Sequence, residues 1–214
     1  MRPADVREIG TWTVKLKWIS ATVFFACLLS PLHSVPGAGD ERDFTGQLLV
    51  ATEEMEDPRF LEAVIYIVRH NAEGILGLVI NRPLAKGSID DLLKGFGGEA
   101  KGSTREVVIY YGGPVSTLQG FVLHSDDVEL DTSIKVRDGI AMTSDIKMIE
   151  AMASGKGPKN SLIMMGYAGW APGQLESEIK NGAWFTIQSD KALIFGKDAE
   201  RKWRQATDRK QTPL

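Results

Sequence analysis

His70, His124 and Arg82 are the side chains in this sequence whose types could move a proton or hold an anion. Neither histidine belongs to an HExxH or HxxxH pattern. A two-histidine metal site would therefore need the fold to bring both together, with Asp126 or Asp127 as a further ligand. A strand-end histidine more often donates a hydrogen bond to backbone. No serine occupies a GxSxG elbow, so a hydrolase nucleophile of that type is unsupported. Arg82, between Asn81 and Pro83, could line up with the turn GGPV (112–115), which begins with Gly112 and Gly113. There it would grip an anionic ligand, or pair more simply with a carboxylate such as Asp90. His70 and Asn71 fall at the opposite end of the same expected hairpin from Asn81 and Arg82, so these four cannot form one site by themselves.

A second candidate is the stretch GYAGWAPGQLE (166–176), which reads as a strand, a loop and the start of a helix. Such junctions bind phosphates through free backbone N–H groups and the helix dipole. This one matches neither GxxxxGKS/T nor GxGxxG, and Pro172 removes a donor that an anion would use. An architectural reading fits better. Gly166 and Gly169 permit close backbone approach or positive φ, while Tyr167 and Trp170 anchor the loop with large rings.

The elements that must position these residues follow from local pattern. QLLVAT (47–52) reads as a strand, and Asp57 followed by Pro58 as the cap of a single helical turn. AVIYIVRH (63–70) and ILGLVINR (75–82) flank a turn-like NAEG and predict a hairpin. Both strands are apolar on both faces, which places them at the centre of the domain. Ser88 caps an amphipathic helix, IDDLLKGF, and REVVIYY (105–111) is a further buried strand. Residues 120–125, SIKVRDG and IAMTS supply three short strands, and 145–154 a helix. SLIMMGYAGW leads into a helix with Leu175 and Ile179 as its buried stripe and Glu176 and Lys180 as a pair four apart. Strands joined by hairpin turns, without strict alternation with helices, predict an α+β fold with a mixed, mainly antiparallel sheet.

The chain has 214 residues, 43% hydrophobic and 25% charged, which suits one globular domain. Residues 1–39 differ. Four basic residues precede an apolar run, then Pro31, Pro36 and small residues, in the order of a secretory leader. Cleavage near Gly37 or Ala38 would remove Cys27, the sole cysteine, and His33. The remaining domain, 40–214, would have no thiol chemistry or disulfide, and it would be exported or periplasmic. An uncleaved or untranslated segment is the alternative, with a cytoplasmic protein. Removing four basic and two acidic residues from 25 and 28 leaves 21 against 26, a net charge of −5. That balance argues against nucleic acid as partner. The one dense basic cluster, 197–210, reads as a solvated helix and tail. No pattern calls for a cofactor, a metal or a transmembrane span in the mature form.

GQLLVATEEMEDPRF, HNAEGILGLVINRP, YYGGPV, VLHS, GYAGWAPGQLESEI and NGAW, in that order from 44 to 184, resemble the AlgH/YqgE family. The resemblance implies one α+β domain with a bifurcated sheet curled into a pseudo-barrel and helices packed outside. Some members of this bacterial family carry a provisional label of transcriptional regulator, and the family brings no established catalytic residues. It marks His70, Asn71, Asn81, Arg82, Gly112, Gly113, His124, Tyr167, Gly169, Trp170, Gln174 and Glu176 as signature positions. The resulting expectation is a non-enzymatic regulatory or binding module. The alternative is a small-molecule hydrolase or transferase with Arg82 as anion clamp and His70 or His124 as base. The family's members begin near GQLL and look cytosolic, so the leader-like segment is a departure that would make a direct role in transcription implausible.

Overall fold

The structure, a computed structural model, describes residues 7–8 and 42–210. The expected leader at 1–39, with Cys27 and His33, lies outside the described residues apart from β1 (Arg7–Glu8). The strand at residues 47–52 is β2 (Gln47–Ala51), and the central hairpin is β3 (Val64–Asn71) with β4 (Gly74–Val79). Asn71 pairs with Gly74, so the turn is two residues tighter than the NAEG loop suggested. β4 stops at Val79 because the Asn81 side chain takes over the ladder: its Oδ1 accepts from Val64 N and its Nδ2 donates to Glu62 O. The chain then enters β5 (Pro83–Ser88), a strand hidden in the sequence by its polar, glycine-containing composition.

Ser88 caps α1 (Ile89–Gly95) by accepting from Asp91 N, as its type predicts. After β6 (Glu106–Tyr111) comes β7 (Val115–Ser125), longer than its apolar part because residues 115–118 are exposed. β8 (Ile134–Lys135), β9 (Ile140–Thr143) and α2 (Ile146–Ala153), capped by Asp145, follow. β10 (Ser161–Trp170), α3 (Gln174–Lys180), β11 (Trp184–Gln188), α4 (Lys191–Phe195) and α5 (Lys202–Lys210) complete the described chain.

The fold is α+β with a curled, mainly antiparallel sheet that divides at β10. The first half of β10 lies between β6, which is parallel to it, and β7, which is antiparallel; its last three residues pair with β4. From there the sheet runs through β3 and β2 to β11, while β5 and β1 extend the other edge. Three apolar layers result. Inside the curl, Val64, Tyr66, Leu78, Leu123 and Met164 pack with Leu193, Ile194 and Ala206 of α4 and α5. Outside, α1 and α2 cover Ile109, Val122 and Ile163, while Leu175 of α3 and Trp184 cover Ile65, Ile67 and Val79.

α5 corrects the expectation of a solvated basic helix. Lys202 is 1% exposed, and its Nζ donates to Ile80 O at 3.0 Å and Ile194 O at 2.7 Å. Trp203 Nε1 donates to Ala51 O. Burial pushes the Lys202 ammonium down to about 8.

The branch point is Gly166, at φ +72°. Before it, even-numbered Leu162 and Met164 face the interior and odd-numbered Ile163 and Met165 face α1 and α2. After it, Tyr167 packs against the interior while Ala168 and Trp170 face outward. The ladder to β7 shifts at this residue. A bulge of one residue reverses which side of a sheet each later side chain faces. Gly112 and Gly113 lie backbone to backbone against Gly166 and Tyr167, so a methyl at either would fall on main-chain atoms.

Candidate functional site

The reversal at Gly166 delivers Trp170 to the outer face, where a cleft of about 610 Å³ opens between the 54–60 loop, Pro114 and Val115, α3 and the start of β11. Asp57 shapes the loop: its Oδ1 accepts from Arg59 N at 2.9 Å and its carbonyl from Phe60 N at 2.8 Å. The result is a hydrogen-bonded turn rather than the expected helical turn, and it presents Phe60 to two indoles. Phe60 and Trp170 lie 6.4 Å apart at 27°, Phe60 and Trp184 5.5 Å apart at 66°, and the two indoles 6.1 Å apart at 82°. The stacked pair and the two edge-to-face pairs add about 1 kcal/mol each beyond burial.

Glu178 ties the rings to α3. Its Oε2 accepts from Trp170 Nε1 at 2.9 Å and Trp184 Nε1 at 2.8 Å, and its Oε1 from Gln174 Nε2 at 2.8 Å. Gln174 Oε1 in turn accepts from Ala171 N, closing the loop that precedes the helix. Gln174 and Glu178 are four apart, so one helical face carries both. That spacing, with a tryptophan just beyond the helix, was the available sequence signal for Glu178 and Trp184. Nothing comparable marked Phe60.

The expected site residues divide. Trp170, Gly169 and Gln174 line the cleft. Tyr167 points the other way, edge-on to Phe121 at 6.1 Å. Gly112 and Gly113 brace the branch of the sheet. Arg82 lies beside the strand that leads into GGPV, where Tyr111 N donates to Arg82 O at 2.8 Å. Its guanidinium, however, donates to Leu61 O at 2.5 Å. Asp90 is not its partner: that carboxylate accepts from Lys101 N and Ser103 N and holds the 97–105 loop. Burial lowers the Arg82 pKa, against the opposing pull of Tyr111, Glu62 and Asp57.

The two histidines share no partner. His70 accepts from Phe44 N on Nδ1 at 3.3 Å, stacks on Phe44, and turns Nε2 toward Glu176 Oε1 at 3.5 Å. Glu176 is thus engaged with His70 rather than with Lys180. Asn71 caps the hairpin turn, accepting from Glu73 N. His124 is fully buried, with Nδ1 2.9 Å from Ser125 O, so that nitrogen carries the proton. Its Nε2 has no hydrogen-bond partner among the described residues. Asp127 binds Ser125 Oγ and Lys159 N rather than either imidazole. Among the described residues no group of three or more His, Cys, Asp or Glu could hold a metal, and no helix is long and apolar enough to cross a membrane.

A bifurcated, curled sheet with an aromatic cleft at the end of its shared strand defines the class: an α+β domain of half-barrel form. Residues 48–214 match the model of the AlgH-like family (DUF179), and the chain belongs to that family. A UPF0301 protein of Nitrobacter hamburgensis is 42% identical over 180 residues, covering 79% of this chain and 82% of that protein. One from Methylococcus capsulatus is 41% identical over 172 residues, covering 80% and 94%. The solution structure of AlgH from Pseudomonas aeruginosa superposes with a TM-score of 0.69 at 34% identity, covering 86% of this chain and 95% of that one. DIP2367 from Corynebacterium diphtheriae shares the fold, with a TM-score of 0.64 at 22% identity over 79% of this chain and 87% of that one.

Proposed function

We propose that this chain is a non-enzymatic binding module, with a regulatory role exerted through occupancy of the Trp170–Trp184–Phe60 cleft. The observation that carries this reading is the state of the cleft's polar groups. Glu178 and Gln174 spend their hydrogen bonds on holding the indoles and the loop, which builds a preformed aromatic wall rather than a reactive group. The hydrolase or transferase alternative loses support for a geometric reason. The Nδ1 lone pair of His70 takes the Phe44 N–H, His124 is fully buried, and Arg82, which donates to Leu61 O, is not among the residues that line the cleft. A general base needs a free lone pair within reach of its substrate.

The test is an NMR titration of the full chain with small aromatic, aliphatic and charged fragments, read at the indole N–H signals. Trp170 and Trp184 should shift together and saturably, and Trp203, bonded to Ala51 O, should not. Shifts absent from the cleft pair would sink the reading. Residues 1–39 are proposed as an export leader preceding a single domain, 40–214. A mature N-terminus near Ala38 in an exported fraction, read by mass spectrometry, supports that placement, and a cytosolic start near Phe44 rejects it.

A further inference from the structure

We infer that the cleft recognises an organic cation: a guanidinium or ammonium group carried on an apolar stem. The inference rests on the binding-module reading and names the ligand chemistry of that same site. Three observations point to it.

The first is charge. Among the described residues four carboxylates line the cleft, Glu54, Glu56, Asp57 and Glu178, against one lining cation, Arg59, with Arg82 acting on Asp57 from outside it. Arg59 is spent on Asp57 in a two-pronged contact at 2.6 and 3.0 Å. Lys210 acts on Glu54 from outside the cleft, and with the Thr52 hydrogen bond as the larger cause it holds that carboxyl below the usual range. Glu56 and Glu178 have no ion-pair partner among the described residues, and the three donors on Glu178 are neutral N–H groups. The negative charge at the cleft is therefore only partly balanced among the described residues.

The second is the wall. Aromatic faces attract cations through the ring quadrupole, and indoles do so best. Both indole N–H groups point at Glu178, so the rings are oriented by the same carboxylate that supplies the charge. An apolar stem would lie against Phe60, Val115 and the edges of the tryptophans.

The third is a resident example. The Arg59 guanidinium already sits 5.7 Å from the centre of the Phe60 ring while bonded to Asp57. One wall of the cleft thus holds a guanidinium between a ring and a carboxylate. A ligand cation in the cleft would meet the same two kinds of partner in the half-buried Phe60 ring and Glu178, since Trp170 and Trp184 are only 6% and 3% exposed and serve as backing to that wall.

The experiment titrates the full-length protein with acetyl-arginine amide and with acetyl-citrulline amide, its neutral isostere, following tryptophan emission and the indole N–H signals. Arginine should bind at least about tenfold more tightly than citrulline, and the preference should weaken between 50 and 500 mM salt, as screening requires. The exposed double variant E54Q/E56Q, which leaves the buried network intact, should reduce the preference several-fold, and E178Q should abolish it. A thermal melt of each variant separates loss of binding from loss of fold. Butylguanidinium binding as tightly as the arginine amide marks a free organic cation, and tighter binding of the amide marks a peptide side chain. Equal binding of arginine and citrulline at the cleft overturns the cation inference and leaves the binding module standing. No response at Trp170 and Trp184 to either probe or to the fragments overturns both.

Discussion

The two ends of GYAGW do opposite jobs a few residues apart. At Gly166 three glycines let main chains touch, and no space remains for a side chain or a ligand. At Trp170 the same strand ends in a large ring beside an open cleft. The first end fixes where the second can point, because the bulge decides which face of the sheet receives Trp170. A glycine-rich motif therefore need not mean a ligand loop: its glycines build the branch, and its aromatic residue builds the wall.

The sharpest way to break this contrast is to put a methyl at the branch. Gly113→Ala or Gly166→Ala should cost at least about 3 kcal/mol in urea unfolding, since each adds a backbone clash to a positive φ. Gly173, at φ +77° on the cleft side of the motif, has open space around it, so Gly173→Ala should cost only about 1 to 2 kcal/mol. Equal losses at the three positions would erase the distinction.

A buried charge gives the next largest effect. The folded Lys202 titrates near 8 and an unfolded lysine near 10.5, so between those values the unfolded chain binds more protons. Stability should rise as pH goes from 8 to about 9.5, before buried Tyr66 and Tyr110, whose pKa values burial raises, act in the opposite sense. Lys202→Met should flatten that rise and cost about 2 kcal/mol by orphaning the carbonyls of Ile80 and Ile194. A wild-type melting temperature that is level or falling across this window would contradict the assignment.

Smaller effects belong to the cleft. Glu178→Leu strands two indole N–H groups and should cost about 1 to 3 kcal/mol, with the emission of both tryptophans altered. Glu56→Gln, at the exposed rim, should change stability by less than about 0.5 kcal/mol. A large loss there would show that the rim holds the fold together rather than facing a ligand.

The sequence made the central hairpin, the Ser88 cap, the helix after Asp145 and the α+β class legible because each rests on local chemistry: apolar runs, turn residues and a cap side chain. It hid β5, which pairs with β6 despite a polar composition, and the docking of α5, where a lysine occupies a core position. The site was half visible. Trp170 stood out by type and Gln174 through the family resemblance; the four-residue spacing of Gln174 and Glu178 hinted at the helix face, but the meeting of Phe60 with Trp184 and Glu178 depends on contacts between the 54–60 loop, α3 and β11 that no local pattern encodes. Arg82 stood out by type as an anion clamp, and only the fold brings its guanidinium to the Leu61 carbonyl, outside the cleft.

β10 also sets when the molecule can fold during its own synthesis. It is the shared strand of both branches, yet it is among the last to leave the ribosome. Until residues 161–170 emerge, β4, β6 and β7 each lack a neighbour, and α5, which seals the interior, is made later still. Non-local pairings of this kind form slowly, and domains mature only as whole units. The nascent chain thus stays unlocked almost to its end, and the sheet closes in one late step once both of its branches have their shared strand.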